Sequence, residues 1–164
     1  WDLVILGKGP LHDDLRRQAE AAGLGGRVFL PGLVGNPGDW YARADLYVMT
    51  SRLEGFPNTL VEALAHGVPV VSYDCDTGPR DIIRHGTDGL LIPMDDEQAL
   101  HDALNDVMRD RALRRKLAAR AGEARERFSI ERVAGMWESL FMQDVPHAGT
   151  QGVPRTSDIS RQTS

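Results

Sequence analysis

Two glutamates flank the expected start of a helix in the middle of the chain. Glu54 lies in a loop that contains Gly and Pro, and Glu62 follows eight positions later, about one turn inside the helix. The first N–H groups of a helix lack internal acceptors and favour an anion such as phosphate. A carboxylate accepts hydrogen bonds from vicinal hydroxyls. A diphosphate with a hydroxyl-bearing group on each side is a sugar nucleotide, although two glutamates at this spacing also arise by chance in helical proteins.

The loop itself suits such a ligand. Gly55 lets the backbone approach a ligand closely, and Pro57 or Asn58 is a suitable residue to start a helix. Thr59 and Leu60 would then offer first-turn N–H groups to a phosphate. In open α/β sheets, ligands bind beyond the carboxyl ends of the strands, and this loop follows an apolar strand. The segment is therefore predicted to bind a diphosphate.

Short apolar segments alternate with helical patterns along the first 92 residues. Strands without clean in/out alternation, separated by helices, indicate a parallel sheet covered on both faces, so the expected fold class is α/β. The predicted strands cover 3–6, 28–30, 46–49, 68–71 and 90–92. The predicted helices cover 11–22, 38–44, 58–66, 79–85, 95–109, 111–127 and 130–142. Residues 144–164 are polar, lack periodicity and are expected to be a disordered tail.

The segment from Glu54-Gly55-Phe56 to Glu62, followed by 63–71, resembles the signature of the retaining GT-B glycosyltransferases of family 4. The resemblance covers residues 2–142. Further matching landmarks, in the same order, are 28–32, 41–45, 51–54 and 87–93. It implies that residues 1–143 form the C-terminal, donor-binding domain of that family, a Rossmann-like doubly wound parallel sheet with C-terminal helices.

The resemblance also implies residue roles. Glu54 is the expected catalytic residue. The implied contacts are Glu54, Gly55 and Phe56 for the donor sugar, Asn58, Thr59 and Leu60 for the diphosphate, and Gly32, Leu33 and Glu62 for the nucleoside. In relatives the loop at 76–80 lies close to the donor sugar, so Thr77, Gly78 and Arg80 are candidate contacts. The alternative for that loop is simple helix capping, with Pro79 at the first helical position.

The sequence departs from the family pattern at its start. The Arg and Lys that neutralise the leaving diphosphate in the family come from the domain's first strand and helix, which would precede Trp1, and Lys8 does not occupy their place. In a doubly wound sheet the strand order is 3-2-1-4-5-6. By the resemblance, the strand at 3–6 is the domain's second, so the first would lie between 3–6 and 46–49. The acceptor-binding N-terminal domain would also lie upstream.

Composition and charge exclude other classes. The net charge of −5 argues against general nucleic-acid binding, and a single cysteine excludes a disulfide framework. Asp74-Cys75-Asp76 spells the D-x-D motif of metal-dependent glycosyltransferases, but the surrounding pattern is GT-B, which works without a bound metal. No metal and no cofactor besides the nucleotide-sugar substrate is therefore expected. The basic segment 109–127 is either a solvated helix face or a contact for an anionic membrane surface.

The predicted function is retaining transfer of a hexosyl group from a nucleoside diphosphate sugar to a sugar or lipid-linked acceptor. Uridine diphosphate is preferred because it is frequent in the family. The expected location is cytoplasmic, with peripheral contact at the inner face of the plasma membrane as an option. Two alternatives stay open. One is an epimerase or phosphorylase of the same architecture, and the other is a fragment that binds nucleotide sugars without reacting.

Overall fold

The computed structural model describes residues 1–142, and the predicted tail at 144–164 lies outside the described residues. The described part divides into two units, Trp1–Phe128 and the segment from Ser129 onward. The strands are β1 (Leu3–Leu6), β2 (Val28–Gly32), β3 (Tyr47–Met49), β4 (Val70–Tyr73) and β5 (Gly89–Ile92). The helices of the first unit are α1 (His12–Ala21), α2 (Pro37–Tyr41), α3 (Asn58–Ala65), α4 (Pro79–Ile82), α5 (Glu97–Arg109), α6 (Arg111–Ala121) and α7 (Ala124–Arg127).

The strands form two parallel sheets. In one sheet β1 pairs with β2, and in the other β4 lies between β3 and β5. If β1 to β5 are the second to the sixth strands of the doubly wound order, as the resemblance implies, these are the pairings that the order requires. Within residues 1–142, no ladder joins β1 to β3. The predicted α/β fold with parallel strands and flanking helices is therefore confirmed.

The core lies on both faces of β4, all four residues of which are buried. Val70 packs in a cluster with Leu60 and Leu64 of α3, while Val71 packs in a second cluster with Val107 of α5 and Leu117 of α6. A central strand that buries successive side chains on opposite faces reads as a continuous apolar segment, which is why its sequence lacks alternation.

Several element boundaries differ from the predictions for local reasons. β4 begins at Val70 rather than at 68, because Gly67 adopts φ +78° and its N–H and that of Val68 close the end of α3 on Leu64 O and Ala63 O. The helix predicted at 79–85 ends at Ile82, since Ile83 is extended. The helix predicted at 111–127 is divided in two by the turn at 122–123.

Asp88 is a fully buried carboxylate between β5 and α7. It accepts hydrogen bonds from the backbone N–H of Arg84 at 2.8 Å, from Nε of Arg84 at 2.7 Å and from Nη1 of Arg127 at 3.2 Å. A second Arg127 nitrogen donates to the carbonyl of Ile82 at 2.8 Å, at the end of α4. These bonds attach α7 to the turn before β5 and satisfy a charge that would otherwise be costly to bury.

Part of the basic segment 109–127 is engaged within the fold. Arg114 donates to the carbonyls of Val107 and Met108 at 2.7 and 2.8 Å, near the end of α5. Arg120 pairs with Glu123 at 2.8 Å. These contacts favour the interpretation of a folded helix face, and contact with an anionic membrane stays a prediction. No helix among residues 1–142 has the length and apolar character to cross a bilayer.

Among residues 129–142, the segment from Ser129 forms the helix α8 (Ile130–Met142). The Ser129 hydroxyl accepts a hydrogen bond from the N–H of Arg132 at 3.2 Å, so Ser129 caps the helix. Trp137 and Phe141 stack one turn apart, with ring centroids 5.8 Å apart.

Candidate functional site

The N-terminus of α3 follows the loop that leaves β3. Pro57 is its N-cap residue, in an extended conformation, and no side chain within the described residues caps the helix. The N–H of Leu60 donates to the carbonyl of Pro57 at 3.0 Å. Asn58 and Thr59 are the first two residues of the helix, and the carbonyls three and four positions before them lie outside it, so helix geometry gives their N–H groups no intrahelical partner. Of the three amides predicted to hold a diphosphate, those of Asn58 and Thr59 are therefore the better donors.

A second loop packs against the first. The hydroxyl of Thr77 donates to the backbone carbonyl of Glu54. Gly78 has φ +96°, and a Cβ built on it would lie 2.5 Å from Cδ of Pro57 and 3.2 Å from the carbonyl oxygen of Gly55. The structure thus brings together four of the predicted donor-sugar residues at the start of α3. These four are Glu54, Gly55, Thr77 and Gly78.

Replacing Gly78 by alanine should disturb this contact. The positive φ and the 2.5 Å approach to Pro57 together leave no room for a methyl group. We expect a loss of about 1–3 kcal/mol in the free energy of unfolding, together with weaker donor binding. Urea denaturation of Gly78→Ala measures the first effect. The control is Gly35→Ala, because Gly35 has open space around its Cβ position and no positive φ. Equal stability of the two variants would contradict the role of the close approach.

Arg80 and the D-x-D motif are paired with each other. Nε of Arg80 donates to Asp74 at 2.9 Å, and this hydrogen bond raises the pKa of the guanidinium. Cys75 between the two aspartates is buried. In the described part of the chain, no group of three or more His, Cys, Asp or Glu side chains is placed to hold a metal ion. Arg80 thus lies at the edge of the candidate site, with its charge directed to Asp74.

Glu62 lies on α3 beside two tyrosines. Burial raises the pKa of Tyr41, and the Glu62 carboxylate, which interacts with the Tyr41 hydroxyl, raises it further. The Tyr41 ring lies 6.1 Å from the Tyr47 ring and 5.4 Å from the His66 ring. His66 bonds the Glu62 carbonyl through Nδ1 at 2.8 Å. The predicted ribose-binding carboxylate therefore lies beside a group of packed aromatic side chains.

The predicted nucleoside contacts Gly32 and Leu33 lie at the end of β2, in the other sheet. Gly32 has φ +80°, and its carbonyl accepts from the N–H of Gly7 at 2.9 Å. Leu33 is 78% exposed. The hydrogen bond described for this segment leads to the loop after β1, so it does not link the segment to Glu54 or Glu62.

Sequence reasoning missed two aromatic residues of the site. Tyr47 is read as part of an apolar strand, but its hydroxyl bonds the side chain of Thr59. Phe128 follows α7, and its ring meets that of Phe56 edge-on at a centroid distance of 5.9 Å. The only available signal is that each is an aromatic residue at the end of an element. That is a weak signal, because aromatic residues at such positions usually fill the core.

Comparisons with known proteins give the family of the chain. The family described as glycosyl transferases group 1 matches residues 1–124. The chain is 42% identical over 144 residues to an exopolysaccharide phosphotransferase of Streptomyces coelicolor, covering 87% of this chain and 15% of that protein. It is 32% identical over 141 residues to a poly(glycerol-phosphate) alpha-glucosyltransferase of Bacillus subtilis, covering 86% of this chain and 21% of that protein.

Solved structures show the same fold. A mutant of S. aureus TarM in complex with fondaparinux, alpha-GlcNAc-glycerol and UDP superposes with a TM-score of 0.78 at 28% identity, over 86% of this chain and 29% of that chain. Anabaena HepE in complex with UDP gives a TM-score of 0.74 at 26% identity, over 84% of this chain and 41% of that one. The chain thus spans less than half the length of each of these relatives. It belongs to the glycosyl transferases group 1 family, and its fold is that of GT-B glycosyltransferases.

Proposed function

We propose that the protein containing this chain is a retaining hexosyltransferase, and that this chain binds its nucleoside diphosphate sugar. The observation that carries the proposal is the meeting of the Glu54 and Thr77 loops at the α3 N-terminus, with Glu62 one turn further. A UDP-sugar donor is supported by the UDP bound in two structural relatives. The acceptor would be a sugar or a lipid-linked glycan in polysaccharide or glycoconjugate synthesis, bound through a further domain.

In the proposed reaction, the bond between C1 of the sugar and the diphosphate oxygen breaks. The acceptor hydroxyl oxygen bonds to C1 on the same face, and its proton passes to the departing diphosphate oxygen. Negative charge that develops on the diphosphate lies at the N-terminus of α3, where the amides of Asn58 and Thr59 and the helix dipole stabilise it. Glu54 and the 77–78 loop would hold the sugar, and Glu62 the ribose.

The test is transfer of labelled sugar by the full-length protein from a panel of UDP-, GDP- and dTDP-sugars to glycan acceptors. We expect acceptor-dependent release of nucleoside diphosphate and a product with the anomeric configuration of the donor, measured by NMR. Inversion would contradict the retaining mechanism. Release of nucleoside monophosphate would instead indicate transfer of a sugar phosphate; the S. coelicolor relative is named an exopolysaccharide phosphotransferase. Donor turnover without acceptor would favour the epimerase or phosphorylase alternative.

Chelation of metal ions should leave transfer nearly unchanged. Asp74 of the D-x-D motif is paired with Arg80 at 2.9 Å, and the proposed binding mode sets the leaving group against helix amides. We expect activity in excess EDTA within about twofold of that without chelator, since helix amides and cations can supply the transition-state stabilisation that a metal would otherwise give. Loss of activity that Mn²⁺ restores, and that Asp74→Asn abolishes, would assign a metal to this motif instead.

We also place the protein in the cytoplasm, at the inner face of the membrane when its acceptor is lipid-linked. Arg111, Arg115 and Lys116 of α6 are exposed, and they support this peripheral contact through attraction to anionic lipid.

A further inference from the structure

The hydroxyl of Tyr47 connects β3 to the first turn of α3. It donates a hydrogen bond to Oγ1 of Thr59 over 2.9 Å. Tyr47 is half-buried against the first core cluster, whereas Thr59 is exposed at the second position of the helix. A residue fixed in the sheet thus holds a side chain that lies among the amides where the proposed function places the diphosphate.

The direction of this hydrogen bond follows from the charges around it. Burial raises the pKa of the Tyr47 phenol, and the carboxylates of Glu54 and Glu62 raise it further, against the opposite effect of Thr59. The phenol therefore keeps its proton, and a phenol is a stronger donor than an aliphatic hydroxyl. The aliphatic oxygen of Thr59 is accordingly the acceptor.

The Thr59 hydroxyl has a proton left to donate. A threonine hydroxyl carries one donor and two lone pairs, and here one lone pair is taken by Tyr47. Within residues 1–142, this is the single hydrogen bond of the Thr59 side chain. Its proton is thus available to an acceptor outside the chain, next to the N–H groups of Asn58 and Thr59.

We propose that Tyr47 is a positioning residue, which orients the Thr59 hydroxyl so that it donates to a phosphate oxygen of the bound nucleoside diphosphate. The Thr59 side chain then acts as a third donor beside the two amides. This inference rests on the proposed function and adds to it a specific recognition of the diphosphate. It predicts that the Tyr47 hydroxyl affects binding of the diphosphate but not of the nucleoside.

The experiment compares two ligands by calorimetry on the full-length protein. These are the diphosphate that the wild type binds best among UDP, GDP and dTDP, and the nucleoside that corresponds to it. Tyr47→Phe should weaken diphosphate binding by about three- to tenfold, as loss of one hydrogen bond does, and change nucleoside binding by less than about twofold. Tyr41→Phe is the matched control. It removes a neighbouring hydroxyl that interacts with Glu62, so any effect through the ribose is common to both ligands and their affinity ratio should be unchanged.

Variants of Thr59 complete the test. Thr59→Val should weaken diphosphate binding as Tyr47→Phe does, Thr59→Ser should retain it, and Tyr47→Phe should have no further effect in the Thr59→Val background. Because Thr59 is exposed, its variants should keep the fold. Their affinities therefore test the inference even where Tyr47→Phe lowers the melting temperature. Three results would overturn this inference and leave the proposed function standing. They are equal weakening of the binding of both ligands in Tyr47→Phe, additive effects of the two substitutions, and an unchanged affinity ratio in Thr59→Val. Failure of the wild type to bind any of the three diphosphates would overturn the proposed function, and this inference with it.

Discussion

We expect that one further parallel strand between β1 and β3 would stabilise residues 1–164. The expected gain in the free energy of unfolding, relative to residues 1–164 alone, is about 3–6 kcal/mol. Among the described residues, β1 pairs with β2 only and β3 with β4 only. Leu3, Val4 and Ile5 of β1 are 50%, 39% and 36% exposed. A strand in this place would pair both edges and cover part of this apolar surface, which is a large contribution beside a typical domain stability of about 5–15 kcal/mol.

The comparison uses two polypeptides, residues 1–164 and the same residues preceded by about 30 residues that supply one strand and its crossover. Urea denaturation gives the two free energies of unfolding. A third polypeptide, in which prolines interrupt the added strand, is the control for the effect of added length. We also expect residues 1–164 alone to associate through the open edges, which sedimentation velocity detects. If the shorter polypeptide is a cooperative monomer as stable as the longer one, the strand order is wrong.

Glu62→Ala is expected to weaken binding of a nucleoside diphosphate by about 1–3 kcal/mol, about 5- to 150-fold in Kd, with no comparable loss of stability. The carboxylate would accept charge-assisted hydrogen bonds from the two ribose hydroxyls, and alanine leaves them without that acceptor. Glu62 is exposed on α3, so its loss should cost the fold little. Calorimetric titration of the full-length protein measures the affinity.

One further variant and one further ligand make this result specific. Glu97→Ala removes an exposed helix glutamate far from the α3 start in sequence and should leave the affinity unchanged. A 2′-deoxynucleoside diphosphate should bind wild type more weakly than its ribose counterpart, and the difference should shrink in Glu62→Ala. Unchanged nucleoside diphosphate affinity in Glu62→Ala would exclude the ribose role.

The parts of the fold that depend on local chemistry were predictable. Gly67 with Pro69 indicated where α3 ends, and the structure closes that helix with Gly67 at φ +78°. The start at Asn58 also matched, since the preceding Pro57 suits a helix entry. The division of the predicted 111–127 helix at 122–123 was missed, because the apolar positions continue at helical spacing across it.

The contacts that assemble the candidate site were not readable from sequence. Thr77 meets the carbonyl of Glu54 across 23 positions, and that contact depends on the close approach of Gly78 to Pro57. Tyr47 reaches Thr59 from a different element, and in sequence it is one more aromatic residue in an apolar strand. Motif spacing identified the candidate segment, whereas side-chain pairing between elements required the packed structure.

The hydrogen bonds of the buried Asp88 carboxylate also determine at which residue this unit can be cut from the rest of the chain. The family match ends at residue 124, yet the guanidinium that reaches Asp88 and the Ile82 carbonyl belongs to Arg127. A cut at residue 124 would remove that partner and the Phe128 ring beside Phe56. Chimeras that exchange this unit between relatives should therefore place their junction after Phe128, where the first unit ends.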